Sequence, residues 1–175
     1  MAEDPVILRR ENLGIVTLMA RRGIDAARVG SALNVPLRNG PTVSTSEHLM
    51  AVGTGPGSWL VIGENAGADF ADGIREATRG LASVSDQSSG YSVVRLAGPR
   101  ARRLLQRGVP IDLHPDSFGP GSAATSVIAH IGVIIWQIDD QPTYDIATFR
   151  SFVGAFRHWL DVTAAAFRTD RPELR

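Results

Sequence analysis

Hydrophobic and polar positions alternate along this chain in short bursts, separated by glycine, proline and small polar residues. Leu13 to Met19 reads as a strand. Asp25 has the short carboxylate of a helix N-cap, and a helix follows through about Leu33. Gly40-Pro41 marks a turn. Thr42 to Val52 is long enough for a second strand. Gly53-Thr54-Gly55-Pro56-Gly57 reads as a turn, and Ser58 to Ile62 as a third strand. Asn65 or Asp69 opens a helix that runs near Arg79, with Gly80 as a left-handed stop. Leu81 to Val84 is a fourth strand. The order β-α-β-β-α-β is that of the ferredoxin-like split unit.

The pattern restarts at Tyr91. Val93, Arg95 and Ala97 alternate with Val94 and Leu96, as in a strand with one buried face. Gly98 permits a turn that a β-carbon would hinder, and Pro99 suits the first position of a helix running to Arg107, stopped at Gly108. Three prolines keep Val109 to Gly121 irregular. Ala123 to His130, Val133 to Ile138 and Tyr144 to Ala147 read as an antiparallel meander, with Asp139-Asp140-Gln141-Pro142 as its second turn. Ser151 caps a final helix to about Phe167, with Phe152, Phe156, Trp159 and Leu160 on one apolar stripe. Residues 1 to 11 read as an arm and 169 to 175 as a frayed tail. The expected fold is α+β: a ferredoxin-like half over about 12–86, then a second antiparallel α+β half over about 90–168, in one domain of 175 residues.

Composition narrows the chemistry. The 18 basic residues balance 18 acidic ones, so no global field steers the chain onto nucleic acid or an acidic membrane. There is no cysteine, which removes disulfides, thiolate nucleophiles and thiolate metal ligands. There is no lysine either, which removes Schiff-base chemistry and a Walker-type phosphate lysine. The acidic start Met1-Ala2-Glu3-Asp4-Pro5 lacks the order of a signal peptide, and no apolar run approaches the ~20 residues of a membrane helix. The expected location is the cytoplasm.

Candidate motifs resolve mostly into structure. Gly53-x-Gly55-x-Gly57 precedes a strand, whereas a dinucleotide loop precedes a helix whose N-terminus meets the pyrophosphate. None of His48, His114, His130 and His158 has metal-ligand spacing, so no metal site is expected; His130 lies in an apolar stretch and reads as half-buried. A triad of Ser88, His114 and Asp112 can be drawn, but no Gly-x-Ser-x-Gly elbow supports it, and Asp112 with His114 reads as a self-bonded loop. No catalytic residue is assigned. Asp139-Asp140 reads as a solvated turn. The clusters Arg9-Arg10, Arg21-Arg22 and Arg100 to Arg103 lack the interleaved aromatics of a nucleic-acid groove.

Five stretches in order carry a resemblance: Gly55-Pro56-Gly57-Ser58-Trp59-Leu60-Val61, Val84-Ser85-Asp86-Gln87-Ser88, Gly108 to Pro115, Gly132 to Trp136, and Tyr144-Asp145 with Arg150-Ser151. Together with the strand–turn–helix from Tyr91 to Leu105, they resemble the folate-binding, aminomethyltransferase-like fold, and within it the gamma-subunit family of heterotetrameric sarcosine oxidase. The chain departs from that pattern at Val109 and near Ala123, where relatives often carry cysteine. The resemblance implies a non-catalytic subunit of an oxidase that demethylates sarcosine or a related N-methyl amino acid, inactive when isolated. It implies partners alpha, beta and delta, with alpha contacted most directly. It also implies that FAD, FMN, NAD, tetrahydrofolate and zinc belong to other subunits and none to this chain alone. Asp86 and Ser88 form the folate-like pair, by chemistry suited to an amino-pyrimidine edge and otherwise to organising their loop. Arg100, Arg103, Leu113, His114 and Phe118, on and beside the proline-stiffened loop, are the expected partner contacts. The alternative is a free-standing module of this fold that binds folate or another small ligand.

Overall fold

In the computed structural model, which describes residues 5–169, the chain begins with β1 (Val6–Arg10) and β2 (Leu13–Ala20). There follow α1 (Ala26–Leu33), β3 (Val43–Thr45), β4 (Leu49–Gly55), β5 (Ser58–Glu64), α2 (Phe70–Ala77) and β6 (Ala82–Asp86). The second half holds β7 (Tyr91–Ala97), α3 (Ala101–Leu105), β8 (Ala123–Ile128), β9 (Ile131–Asp139), β10 (Thr143–Phe149) and α4 (Val153–Thr169). Local chemistry explains several boundaries. The Asp25 carboxylate accepts the Arg28 N–H at 2.8 Å and so caps α1, while Val29 and Leu33 bury its inner face. Gly98 has φ +112°, the backbone that the abrupt turn after β7 demands.

The strands form two antiparallel sheets, ordered β3-β4-β5-β2-β6 and β1-β7-β10-β9-β8. Apart from the short edge strand β3, the first is the ferredoxin-like arrangement, in which an antiparallel strand fills the gap left by each β-α-β crossover. The second sheet repeats it, with β7, β8, β9 and β10 in the places of β2, β3, β4 and β5. The place of β6 is taken by β1, from the other end of the chain, which pairs with β7 from Val6↔Ala97 to Arg10↔Val93. The two halves therefore interlock.

The sheets pack face to face. Ile15, Val52, Leu60 and Ile62 meet Val93, Ile134, Trp136 and Ala147 between them. On the outer faces, α1 and α2 cover the first sheet, and α3, α4 and the irregular segment cover the second. Alternation along β7 shows how: Val93 turns to the sheet interface while Val94 and Leu96 turn to the helices. The architecture is the α+β fold expected from sequence.

Several local expectations are corrected. Residues 6–10 of the supposed arm are β1, an edge strand whose alternate residues Val6 and Leu8 are exposed while Ile7 packs on the core. The stretch Thr42 to Val52 is two strands, because Ser46 folds the chain back: its N–H donates to the Leu49 carbonyl and its hydroxyl accepts the Leu49 N–H. Gly53 and Gly55 lie inside β4, and the chain turns only at Pro56-Gly57. Gly53 is needed for close approach, since a Cβ there would lie 1.9 Å from the Gly40 carbonyl oxygen. The helix read over Pro99 to Arg107 is regular only from Ala101 to Leu105, with Pro99 in the preceding turn. Ser151 lies within a 3₁₀ turn, Arg150–Phe152, ahead of α4, and Phe152 is exposed rather than on the buried stripe. His130 is exposed in the β8–β9 turn, where it and Ala129 have φ of +70° and +47°. Residues 170–175 of the expected tail lie outside the described residues.

Candidate functional site

Asp86 ends β6, and the chain then crosses to the second sheet. The Asp86 carboxylate accepts the Ser88 N–H at 2.9 Å, an Asx-type turn. That amide, with the Ser88 hydroxyl as a second cause, holds the Asp86 carboxyl below its usual range. The Ser88 hydroxyl accepts the Ile15 N–H at 3.0 Å and contacts the Ile15 carbonyl at 3.3 Å, continuing the sheet past its last paired residue. Arg150 closes the crossing from the far side, donating to the carbonyls of Ser89 and Ser88 at 2.8 and 3.3 Å. Of the folate-like pair, Ser88 is thus committed to the backbone of β2, and Asp86 is the member exposed to solvent.

The irregular segment lies elsewhere, against the helical face of the second sheet. Leu113 is fully buried and Phe118 is 6% exposed, both in the core with Leu104, Tyr144 and Phe156. The expectation that these two anchor a partner is therefore corrected: the proline-rich loop turns its apolar side chains inward because α3 and α4 leave that part of the sheet uncovered. His114 stays exposed. Its N–H donates to Asp112, which also accepts the Ser117 hydroxyl at 2.8 Å; these two bonds hold the Asp112 carboxyl below its usual range. The serine that meets Asp112 is Ser117, in the same loop, and the drawn triad with Ser88 is not assembled. Arg100 is half-buried and Arg103 exposed at the start of α3.

A charged cluster between the sheets escaped the sequence reading. Asp145, on β10 and 1% exposed, accepts Nε and Nη2 of Arg95 at 2.7 and 2.8 Å and Nη1 of Arg10 at 3.0 Å. Arg10 reaches on to Glu64, at the end of β5, at 2.6 Å. The bidentate contact with Asp145 favours the charged form of Arg95 and raises its pKa. The cluster walls a crevice of about 220 Å³ with Trp136, Met50 and His48. A second crevice, at the place related by the repeat, is apolar: about 330 Å³, with Tyr91 and Phe149 stacked at 4.8 Å on one wall. The available signal for the charged cluster was an aspartate inside the apolar run Tyr144 to Ala147, opposite an arginine in another apolar strand. Among the described residues, no group of three His, Asp or Glu is placed to hold a metal ion. No helix among them is long and apolar enough to cross a membrane.

Two repeated α+β units packed sheet to sheet define the class. The fold is shared with the glycine cleavage system aminomethyltransferase T from Bartonella henselae, with a TM-score of 0.68 at 10% identity, over 91% of this chain and 46% of that one. Within that class the chain belongs to the sarcosine oxidase, gamma subunit family, whose pattern matches residues 20–166. The gamma subunit of sarcosine oxidase from Corynebacterium sp. (strain P-1) is 27% identical over 90% of this chain and 77% of its own length. A heterotetrameric sarcosine oxidase from Corynebacterium sp. U-96, solved in complex with pyrrole 2-carboxylate, holds a chain that matches with a TM-score of 0.85. That match is 26% identical and covers 98% of this chain and 88% of that one.

Proposed function

We propose that this chain is the non-catalytic gamma subunit of a heterotetrameric sarcosine oxidase, or of a close relative that demethylates another N-methyl amino acid. The observation that carries this reading is the match to a chain of a solved heterotetrameric sarcosine oxidase along nearly the whole length. The internal chemistry agrees with a structural role. Asp145 is neutralised by two arginines, Ser88 serves the backbone of β2, and Asp112 holds its own loop. In this reading FAD, FMN, NAD, tetrahydrofolate and zinc are held by the alpha, beta and delta subunits, and the complex works in the cytoplasm. The gamma chain packs on alpha through the surface that carries His114, Arg100 and Arg103. Leu113 and Phe118 support that surface from beneath. Asp86 is the one member of the folate-like pair left open to a ligand.

Co-expression with candidate alpha, beta and delta chains tests this. A tag on this chain should recover a flavin-bearing complex that oxidises sarcosine or a related N-methyl amino acid, while the chain alone is colourless and inactive. Replacing His114 and Arg103 together by alanine should weaken recovery while the isolated chain still folds and unfolds in one cooperative thermal transition. A yellow, active preparation of this chain alone, or failure to co-purify with any such partner, overturns the proposal.

A further inference from the structure

Of the four strands at the sheet edges, β8 is the unprotected one among the described residues. β3 has three residues, β6 ends in Asp86 and β1 ends in Arg9-Arg10. β8 is Ala-Ala-Thr-Ser-Val-Ile, six residues with no charge and no proline. Its register with β9 is unbroken from Ala123↔Trp136 to Ile128↔Ile131. Natural sheets blunt their edges with charges, prolines, bulges or brevity, because an open edge is a template for another strand.

The backbone shows which groups are open. The Ala123 N–H points away from β9 and donates to the Pro41 carbonyl at 2.9 Å. Along an antiparallel strand every second residue points the same way, so Thr125 and Val127 also turn their N–H and C=O groups outward. Residues 41–43 cover only the start of this edge. They do so through the bond to Ala123, the Thr42↔Ser122 bridge and the Val43 N–H, which donates to the Gly121 carbonyl at 2.7 Å. From Thr125 onward, no strand of the described residues lies on the outer side of β8. Two donors and two acceptors stand there in one row.

The side chains give an independent observation. Ala123 packs between the sheets, and Thr125 and Val127 alternate onto the same face. Yet Thr125 is exposed, and Val127 is 45% exposed. Gly132, across the ladder from Val127, is exposed as well, and a Cβ there would meet no atom within 4 Å. The first sheet thus stops short of this corner. The open edge adjoins the apolar crevice beside Tyr91 and Phe149, whose wall includes Thr125 and Gly132.

We propose that β8 takes an extended segment of another subunit as an added strand. This rests on the reading of the chain as one subunit of a heterotetramer. The main chain of the segment bonds to Thr125 and Val127, and its alternate side chains, uncharged and apolar, lie over the crevice beside Gly132. A second copy of this chain fits the edge less well. An antiparallel pair of β8 strands that joins Thr125 to Val127 of the copy also sets Ala129 of the copy opposite Ala123, in the place that Pro41 holds.

The tagged chain is co-expressed with candidate alpha, beta and delta chains. The complex and the isolated chain are compared by hydrogen exchange, resolved to single amides by mass spectrometry. In the isolated chain the Thr125 and Val127 amides should exchange faster than those of Ala124 and Ser126, which face β9, and in the complex they should become protected. Val127→Pro removes one outward N–H, which an edge strand tolerates. It should cut recovery of the partners about 10-fold, the equivalent of one main-chain bond of about 1.4 kcal/mol. Thr125→Lys leaves every backbone group in place, adds the charge that protected edges carry, and should also cut recovery. Both variants should still unfold in one cooperative transition when isolated, and the exchange comparison needs no variant. Wild type that recovers no partner refutes the subunit reading and this proposal with it. Wild type that recovers its partners with the Thr125 and Val127 amides still open, or with both variants recovering as well as wild type, overturns strand addition alone. A dimer of the isolated chain in analytical ultracentrifugation that Val127→Pro abolishes assigns the edge to a second copy and also overturns it.

Discussion

Removing the charge of Asp145 should be among the most damaging single changes in this chain. The carboxylate is 1% exposed and accepts three charge-assisted bonds, from two arginines on two neighbouring strands. Asp145→Asn keeps the volume but offers one acceptor and turns an NH₂ group toward guanidinium donors. At least one bond is lost, and Arg95 and Arg10 then repel each other across a neutral side chain. Breaking a buried ion pair from one side costs about 3–5 kcal/mol. Because the Arg10 and Arg95 side chains keep 18% and 28% of their exposure, the lower part of that range applies, about 3 kcal/mol. Paired removal should be milder. Arg95→Met with Asp145→Leu takes both charges away, and Arg10 retains Glu64, so the double variant should lose less than Asp145→Asn alone. Urea unfolding at 25 °C and pH 7, followed by tryptophan fluorescence, measures all three proteins. A loss below about 1 kcal/mol for Asp145→Asn would place the cluster with solvated surface pairs and refute the argument.

Three further outcomes follow from the same structure. Gly98→Val forces a branched residue to φ +112° and should cost about 1–3 kcal/mol in chemical denaturation; an unchanged midpoint would contradict the turn. Phe118→Ala removes a core ring and should destabilise the isolated chain by about 3–5 kcal/mol, whereas a docking anchor would leave its midpoint nearly unchanged. Asp86 has a carboxyl pKa depressed in the folded state, so its stabilisation is full above the unfolded value of about 4 and fades as pH falls below it. The gap in urea midpoint between wild type and Asp86→Ala should therefore be wider at pH 7 than at pH 3. For so exposed a group the pH-dependent part stays under about 1 kcal/mol, and a gap that is equal at both pH values would show that the charge contributes nothing.

What was legible in the sequence was whatever local chemistry decides. The Asp25 cap, the Gly98 turn and the meander from Ala123 each rest on residues whose conformational preferences act within a few positions. What was not legible depends on pairing across the chain. Strand β1 reads as Val-Ile-Leu-Arg-Arg, short and partly charged, and is ordered because β7 is open on that side and because Arg10 meets Asp145, 135 positions away. The β3–β4 hairpin was hidden because its turn, Ser46-Glu47-His48, has no glycine or proline and is held by one serine. The burial of two of the expected partner contacts was hidden in the same way. Leu113 and Phe118 stand in a loop of prolines and polar residues, and only the uncovered face of the second sheet shows that they are core.

The repeat also explains why the two inter-sheet crevices differ. One fold repeated twice places equivalent positions on each sheet at opposite ends of the interface. In the second sheet Arg95 and Asp145 form a buried pair across β7 and β10; at the matching positions of the first sheet, Thr17 and Leu60 form a plain cross-strand pair of β2 and β5. The charged end draws in Arg10 and ties β1 and Glu64 together, so it is locked by ion pairs that span both sheets. At the other end Tyr91 stacks on Phe149, and Phe149 is still 48% exposed. A fold that spends its buried charges at one end keeps an apolar, less constrained opening at the other. Adaptation to a partner or a ligand therefore costs least at the Tyr91–Phe149 end, where no ion pair has to break.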